Sequence, residues 1–136
     1  MAPDWILKDL ENRTVALSEL NSKVILIQFT GVGCGPCHAS IPFLKQLVGD
    51  YKEKDFELVA IETWSKNEQG LRRYHDLNNI TFKFLKGNEQ IITNYEVGLV
   101  PAFFILNQKK IVTKVIFGYS RESTGKEIID TINGLL

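Results

Sequence analysis

The 136-residue chain has the length of one domain, and 44% hydrophobic with 24% charged residues is typical of a globular protein with its own core. Basic and acidic side chains number 16 each, so the zero net charge offers no field to attract nucleic acid or anionic lipid. We expect a single domain over residues 1–136 and exclude a nucleic-acid partner.

The amino-terminal half alternates predicted strands and one long helix. Two extended segments between Trp5 and Leu20 flank the turn-prone residues 11–13 and predict an N-terminal β-hairpin. The nearly continuous apolar run of residues 23–29 predicts a strand buried on both faces of a sheet. Apolar residues then recur at helical spacing after Gly35, with Pro42 inside the predicted helix: Ile41, Leu44, Leu47, Val48 and Tyr51.

A second buried strand is predicted over residues 56–62. The spacing of Ser65 and Glu68 predicts a capping box at the start of a short helix. The buried face of that helix is predicted to carry Leu71, Tyr74 and Leu77. A brief extended piece, residues 81–85, follows it.

The last part of the chain predicts a weak helix over residues 89–95 and then an antiparallel hairpin over residues 101–119. A capped helix beginning near Thr124 closes the chain. Strands therefore alternate with helices before a terminal hairpin and helix, which predicts an α/β fold.

The motif Gly-Cys-Gly-Pro-Cys-His at residues 33–38 permits three kinds of site. A zinc site closes with four ligands, whereas this chain offers two cysteines, His38 and a distant His75. The sequence Cys-x-x-Cys-His also matches the c-type haem attachment motif, in which His75 would have to act as the distal ligand because the only methionine is Met1. The third possibility is a redox-active dithiol.

The redox interpretation accounts for the residues around the motif. Cys34 immediately precedes a helix, where unpaired N–H groups and the helix dipole favour a thiolate, so we predict that it is the exposed nucleophile. Gly35 permits the tight turn, and Pro36 suits the first helical turn because its missing N–H would have no partner. Cys37 lies within that turn and is predicted to be the shielded thiol that resolves a mixed disulfide.

The sequence Gln28 to Cys37 (QFTGVGCGPC) resembles the active site of the thioredoxin superfamily. Pro42 lies where that family has its helix proline, and Val100-Pro101 resembles its cis-proline loop, which offers backbone groups to a substrate. The N-terminal hairpin and the long interval from Cys37 to Pro101, which accommodates a helical insertion, resemble the TlpA/ResA-type thiol-disulfide oxidoreductases. The resemblance implies a thioredoxin-like fold and reduction of protein disulfides.

The same resemblance implies partners and a location. Protein thiols and disulfides would be the substrates, an upstream redox partner would supply electrons, and no cofactor or metal would be required. Members of that group act outside the cytoplasm, which implies a periplasmic or other extracytoplasmic monomer with a removed leader and a possible membrane tether. The amino terminus itself lacks a leader pattern, so a cytoplasmic protein is the alternative.

Several residues depart from the family pattern. Gln28 stands where thioredoxins have a buried aspartate and cannot accept a proton, so Glu62, close to the position of a glutamate in ResA-like members, becomes the predicted proton acceptor for Cys37. Gly33 replaces a common tryptophan, and Ala102 replaces a usual threonine. Trp64 is a candidate for lining the active-site groove, although partial core is the commoner role of such a residue.

Two further alternatives stay open. Peroxiredoxins carry a threonine three residues before their reactive cysteine and a proline seven before it, where this chain has Gly31 and Ile27. A redox-inert binding module is the non-enzyme alternative.

Because Gly35 and Pro36 add neither charge nor a donor to the Cys34 thiolate, we predict a reductant with a potential below about −200 mV.

Overall fold

The computed structural model describes residues 1–65 and 67–136, so Lys66, within the predicted capping box, lies outside the described residues. In those ranges one mixed sheet contains seven strands: β1 (Ile6–Asp9), β2 (Thr14–Ala16), β3 (Val24–Thr30), β4 (Phe56–Glu62), β5 (Lys83–Lys86), β6 (Ala102–Leu106) and β7 (Val112–Phe117). The α-helices in the same ranges are α1 (Gly35–Asp50), α2 (Glu68–Leu77), α3 (Glu89–Asn94) and α4 (Thr124–Leu135).

The strand order is β2-β1-β5-β4-β3-β6-β7. The three strands β3, β4 and β5 are parallel, whereas β6 runs antiparallel to β3 and β1 runs antiparallel to β5. The N-terminal hairpin therefore extends the sheet at one edge, and the β6–β7 hairpin forms the other. Strand β3, between β4 and β6, is buried along its whole length, as its apolar sequence predicted.

Helices cover both faces of the sheet. On one face α1, α2 and α4 pack against β3, β4 and β6 through their apolar residues. On the other face α3 and the N-terminal segment around Trp5 cover β3, β4 and β6. A short loop joins the carboxyl end of β3 to α1. The cysteine motif therefore lies at the end of the parallel strands, between the apolar clusters on the two faces of the sheet. No helix in the described residues has the length and apolar character of a membrane span.

Two local predictions about α2 were wrong. Asn67, not Ser65, caps the helix: its side-chain oxygen accepts the N–H groups of Gln69 and Gly70 at 2.9 and 3.2 Å. Leu77, predicted on the buried face, is exposed at the end of the helix.

The second strand of the N-terminal hairpin, β2, is shorter than predicted, because the chain forms a single 3-10 turn at Leu17–Glu19 directly after it.

Candidate active site

The two cysteines lie at the amino terminus of α1 and are joined by a disulfide. Cys34 is the N-cap residue, and its Sγ accepts a hydrogen bond from the N–H of Cys37 at 3.2 Å. The sulfur thus takes the place of the serine or aspartate oxygen that commonly caps a helix, and it faces the positive end of the helix dipole. This location stabilises a thiolate on Cys34 in the reduced protein.

The accessibility of the two sulfurs differs from the prediction in one respect. Cys37 is fully buried, as expected of a shielded thiol, but Cys34 is only 5% exposed rather than an open nucleophile. Both side chains belong to the apolar cluster on the face of the sheet that α3 and Trp5 cover. The carbonyl oxygen of Val100 lies 3.7 Å from Cys34 Sγ. Gly35 and Pro36, between the cysteines, are exposed.

The loop before β6 brings the predicted substrate-binding residues to Cys34. The Val100–Pro101 peptide bond is cis, and both residues are buried. The carbonyl oxygen of Pro101 accepts the N–H of Gly118 at 2.8 Å, which holds this loop to the end of β7. The carbonyl group of Val100 is therefore the group through which this loop lies beside the reactive sulfur.

Gln28 takes part in a buried hydrogen-bonded chain beneath the motif. Its Nε2 donates to Ser40 Oγ at 2.8 Å, and Ser40 Oγ donates to the carbonyl oxygen of Cys37 at 2.6 Å. Both side chains are buried, and their hydrogen bonds link β3 to the first turn of α1. Ser40 was not among the residues predicted from the sequence, although Gln28, a polar residue in the apolar strand 24–30, indicates a buried polar partner.

Glu62 lies at the end of β4 and is buried. Its Oε2 accepts the N–H groups of Val32 and Trp64 at 2.9 and 3.1 Å, and both of its oxygens accept the N–H of Ser65. The carboxylate therefore fastens the loop before Cys34 to the loop after β4. Within the described residues no hydrogen bond joins it to Cys37, and its role as proton acceptor stays a prediction.

Two side chains of the surrounding helices complete the neighbourhood. Burial raises the pKa of Tyr74, and the negative charge of Glu62 raises it further; the Tyr74 hydroxyl is buried without a hydrogen-bond partner among the described residues. His38, which follows Cys37, places its Nε2 3.0 Å from Asn78 Oδ1.

A disulfide between an N-cap cysteine and a cysteine one turn later, beyond the carboxyl end of β3, defines a thioredoxin-like dithiol-disulfide oxidoreductase. The family model described as AhpC/TSA matches residues 1–115, and the chain belongs to the AhpC/TSA family.

Relatives and solved structures agree with this class. The thiol-disulfide oxidoreductase ResA of Bacillus cereus is 28% identical over 123 residues, which cover 89% of this chain and 70% of that protein. The thioredoxin-like protein YneN of Bacillus subtilis is 28% identical over 131 residues, 95% of this chain and 76% of that one. A Chlorobium tepidum structure described as thiol:disulfide interchange protein DsbE superposes with a TM-score of 0.91 at 23% identity, covering 98% and 94% of the two chains.

Proposed function

We propose that this thiol-disulfide oxidoreductase is a reductant of protein disulfides, with Cys34 as nucleophile and Cys37 as resolving thiol. The observation that carries the proposal is the position of Cys34 Sγ at the N-cap of α1, where it accepts the N–H of Cys37. That hydrogen bond and the helix dipole lower the energy of a thiolate on Cys34, whereas Cys37 lies inside the first turn.

The reaction exchanges one disulfide for another. The Cys34 thiolate attacks one sulfur of the substrate disulfide, a mixed disulfide forms, and the other substrate sulfur leaves as a thiolate that takes a proton. The Cys37 thiolate then attacks Cys34 Sγ, which releases the second substrate thiol and forms the Cys34–Cys37 disulfide. Two electrons pass from the dithiol to the substrate, and an upstream redox partner must return them.

The cis-proline loop supports binding of an extended substrate segment in this scheme. The carbonyl group of Val100 lies 3.7 Å from Cys34 Sγ, close enough to accept an N–H from a segment attached to that sulfur. Pro101 fixes the direction of this carbonyl group. Gly35 and Pro36 support the nucleophile by forming the uncharged turn between the cysteines, and Gln28 supports the turn from below through Ser40.

Trapping tests the assignment of the two thiols. Cys37→Ser should accumulate a mixed disulfide with an oxidised protein substrate, whereas Cys34→Ser should accumulate none. Mass spectrometry shows in which variant the adduct forms. In the reduced wild-type protein, an alkylating agent should label Cys34 first. Initial labelling of Cys37 would contradict the assignment.

The proposed proton acceptor for Cys37 is Glu62, the buried carboxylate bonded to the loop before Cys34. Glu62→Gln should slow release of the substrate from the mixed disulfide more than it slows capture, because only release needs the Cys37 proton removed. Stopped-flow measurement of the two steps separates them. Equal slowing of both steps would reduce Glu62 to a structural residue.

The reductive direction is tested by the reduction potential. Gly35 and Pro36 add no charge beside the Cys34 thiolate. The helix N-terminus alone then stabilises the reduced form, and this stabilisation is modest. We expect a value below about −200 mV, in the range of thioredoxin and the glutaredoxins. Equilibration with a series of glutathione buffers measures it, and a value near about −120 mV would make the protein an oxidant.

Membership of the AhpC/TSA family makes peroxide the second substrate to test. Peroxiredoxins need a threonine three residues before the reactive cysteine, and here a Cβ on Gly31 would lie 2.4 Å from Cδ2 of Trp64. We therefore expect peroxide to be consumed far more slowly than a protein disulfide. Faster turnover of peroxide would favour the peroxidase alternative.

We also propose that the single domain acts outside the cytoplasm as a monomer, with a membrane tether in the full-length protein. The support is the resemblance to extracytoplasmic oxidoreductases of the ResA type. Fractionation of cells that express the full-length gene, followed by protease treatment of intact spheroplasts, tests the location. Protection from protease before lysis would place the protein in the cytoplasm.

A further inference from the structure

Trp64 is a large aromatic side chain held at the surface beside the cysteine motif. It leaves the sheet two residues after Glu62, and it is 54% exposed. Its ring lies directly over Gly31: a Cβ on that glycine would fall 2.4 to 2.8 Å from three ring atoms, Cδ2, Cγ and Cε3. The carbonyl oxygen of Gly31 in turn accepts the N–H of Cys34 at 3.1 Å. The indole therefore packs on the turn that presents the reactive sulfur.

The backbone of the loop that carries Trp64 is held by hydrogen bonds, and its ring packs on Gly31. A single oxygen, Oε2 of the buried Glu62, accepts the N–H of Trp64 and the N–H of Val32, which lies two residues before Cys34. Because the backbones of both loops are bonded to the same oxygen, the loop that carries Trp64 is held beside the cysteine loop, where the indole packs on Gly31. An exposed indole held in this way is prepared to contact something that docks at Cys34.

A second exposed apolar side chain comes from the loop on the other side of the sulfur. Leu99 is 58% exposed and immediately precedes Val100, whose carbonyl oxygen lies 3.7 Å from Cys34 Sγ. Gly33, next to Cys34, has φ +95° and nothing within 4 Å of an added Cβ, so the surface at this point is open. Two exposed apolar side chains thus come from the loops on either side of the motif: the loop of Trp64 packs on Gly31, and the loop of Leu99 reaches Cys34 Sγ through Val100.

We propose that Trp64 and Leu99 are specificity-determining residues that select substrate disulfides whose cysteine is flanked by an apolar or aromatic side chain. The occupant is an extended segment of the substrate polypeptide, because the mixed disulfide must place the substrate at Cys34 Sγ, between these two loops. Residues 32, 33, 35 and 36 around Cys34 are uncharged, so apolar contact rather than ion pairing makes the selection. This inference rests on the proposed disulfide exchange.

The test compares two disulfide-linked peptides of equal length, one with phenylalanine and one with glycine next to the cysteine. The wild-type protein should reduce the phenylalanine peptide with a kcat/KM about tenfold higher, and Trp64→Ala should remove most of that ratio. Trp64→Phe should restore part of it, since a flat ring is retained. Gly31→Ala should lower the ratio as Trp64→Ala does, because its new Cβ displaces the indole.

Ile6 supplies the matched control. It is an exposed apolar residue on β1, separated from β4 in the sheet by β5, and Ile6→Ala should keep the wild-type ratio. An unchanged ratio in Trp64→Ala, or a ratio that disappears when the salt concentration is raised, would overturn the inference. If neither peptide nor bis(2-hydroxyethyl) disulfide is reduced by the wild-type protein, the proposed function itself fails, which is a distinguishable result.

A second measurement does not depend on the folding of a Trp64 variant. The chain has two tryptophans, and Trp5 is buried, so acrylamide quenching of fluorescence mainly reports Trp64. Trapping the phenylalanine peptide on Cys34 of the Cys37→Ser protein should protect Trp64 from quenching, and the glycine peptide should protect it less. Equal quenching before and after trapping of the phenylalanine peptide would contradict the contact.

Discussion

Ser40→Ala is the most informative single change beneath the motif, because it removes the hydroxyl group that joins two buried hydrogen bonds, one from Gln28 and one to Cys37. Ser40 Oγ accepts from Gln28 Nε2 at 2.8 Å and donates to the carbonyl oxygen of Cys37 at 2.6 Å. Both side chains are buried, so water does not reach the amide group that the substitution leaves without an acceptor. The substitution therefore lowers the free energy of unfolding by more than the net contribution of one hydrogen bond.

The magnitude follows from these contacts. An unsatisfied buried amide costs about 1 to 3 kcal/mol, and the lost bond to Cys37 adds about 1 kcal/mol. The better helix propensity of alanine returns about 0.5 kcal/mol. We expect Ser40→Ala to lower the free energy of unfolding by about 1.5 to 3.5 kcal/mol, a large part of the roughly 5 to 15 kcal/mol that stabilises a domain.

Urea unfolding of the oxidised proteins measures this difference, and a double-mutant cycle with Gln28→Met assigns it. When both partners are replaced by apolar groups of similar shape, no buried polar atom is left unpaired, so the double variant should regain at least about 1 kcal/mol relative to Ser40→Ala. If Gln28→Met/Ser40→Ala were less stable than Ser40→Ala alone, the reasoning from the buried amide would be wrong.

Three further outcomes are expected. Gln28→Asp would bury a carboxyl group whose pKa burial raises, so the folded state would bind its proton more tightly than the unfolded state, and urea unfolding should show stability falling from about pH 5 to pH 8. Leu44→Ala should cost about 2 to 5 kcal/mol because Leu44 is fully buried, whereas Leu77→Ala should cost less than about 0.5 kcal/mol. Burial raises the pKa of Asp9, but hydrogen bonds, mainly from Arg13, lower it overall. Asp9→Asn should therefore destabilise the protein near neutral pH, and this loss of stability, measured by thermal unfolding, should become smaller as the pH falls below about 4.

The elements that the sequence predicted best are those whose signal is local. The apolar run 56–62 became β4 with the same bounds, and the motif 33–38 lies at the start of a helix as predicted. The start of α2 was missed because Ser65 and Asn67 are both good N-cap residues, and the local sequence does not decide between them. Leu77 was misplaced because helical spacing says nothing about where a helix runs past the core.

The parts of the site that sequence reasoning could not supply depend on contacts between distant segments. Ser40 meets Gln28 because α1 packs on β3, and the hydroxyl group becomes important only through that packing. The sequence placed Glu62 at the end of a strand as the predicted proton acceptor, but its bonds to three loop N–H groups depend on the meeting of two loops. The absence of a side chain at residue 31 is explained by the ring of Trp64, which comes from the loop after β4.

The bonds to Glu62 also have a consequence for local motion. The amide hydrogens of Val32, Trp64 and Ser65 lie outside the helices and strands, where exchange with solvent deuterium is usually fast, yet each donates to a buried carboxylate. These loop amides should exchange almost as slowly as amides of the sheet, because releasing them requires the loss of the Glu62 contacts. A docking polypeptide then meets a preformed surface, and little conformational entropy is lost in ordering it.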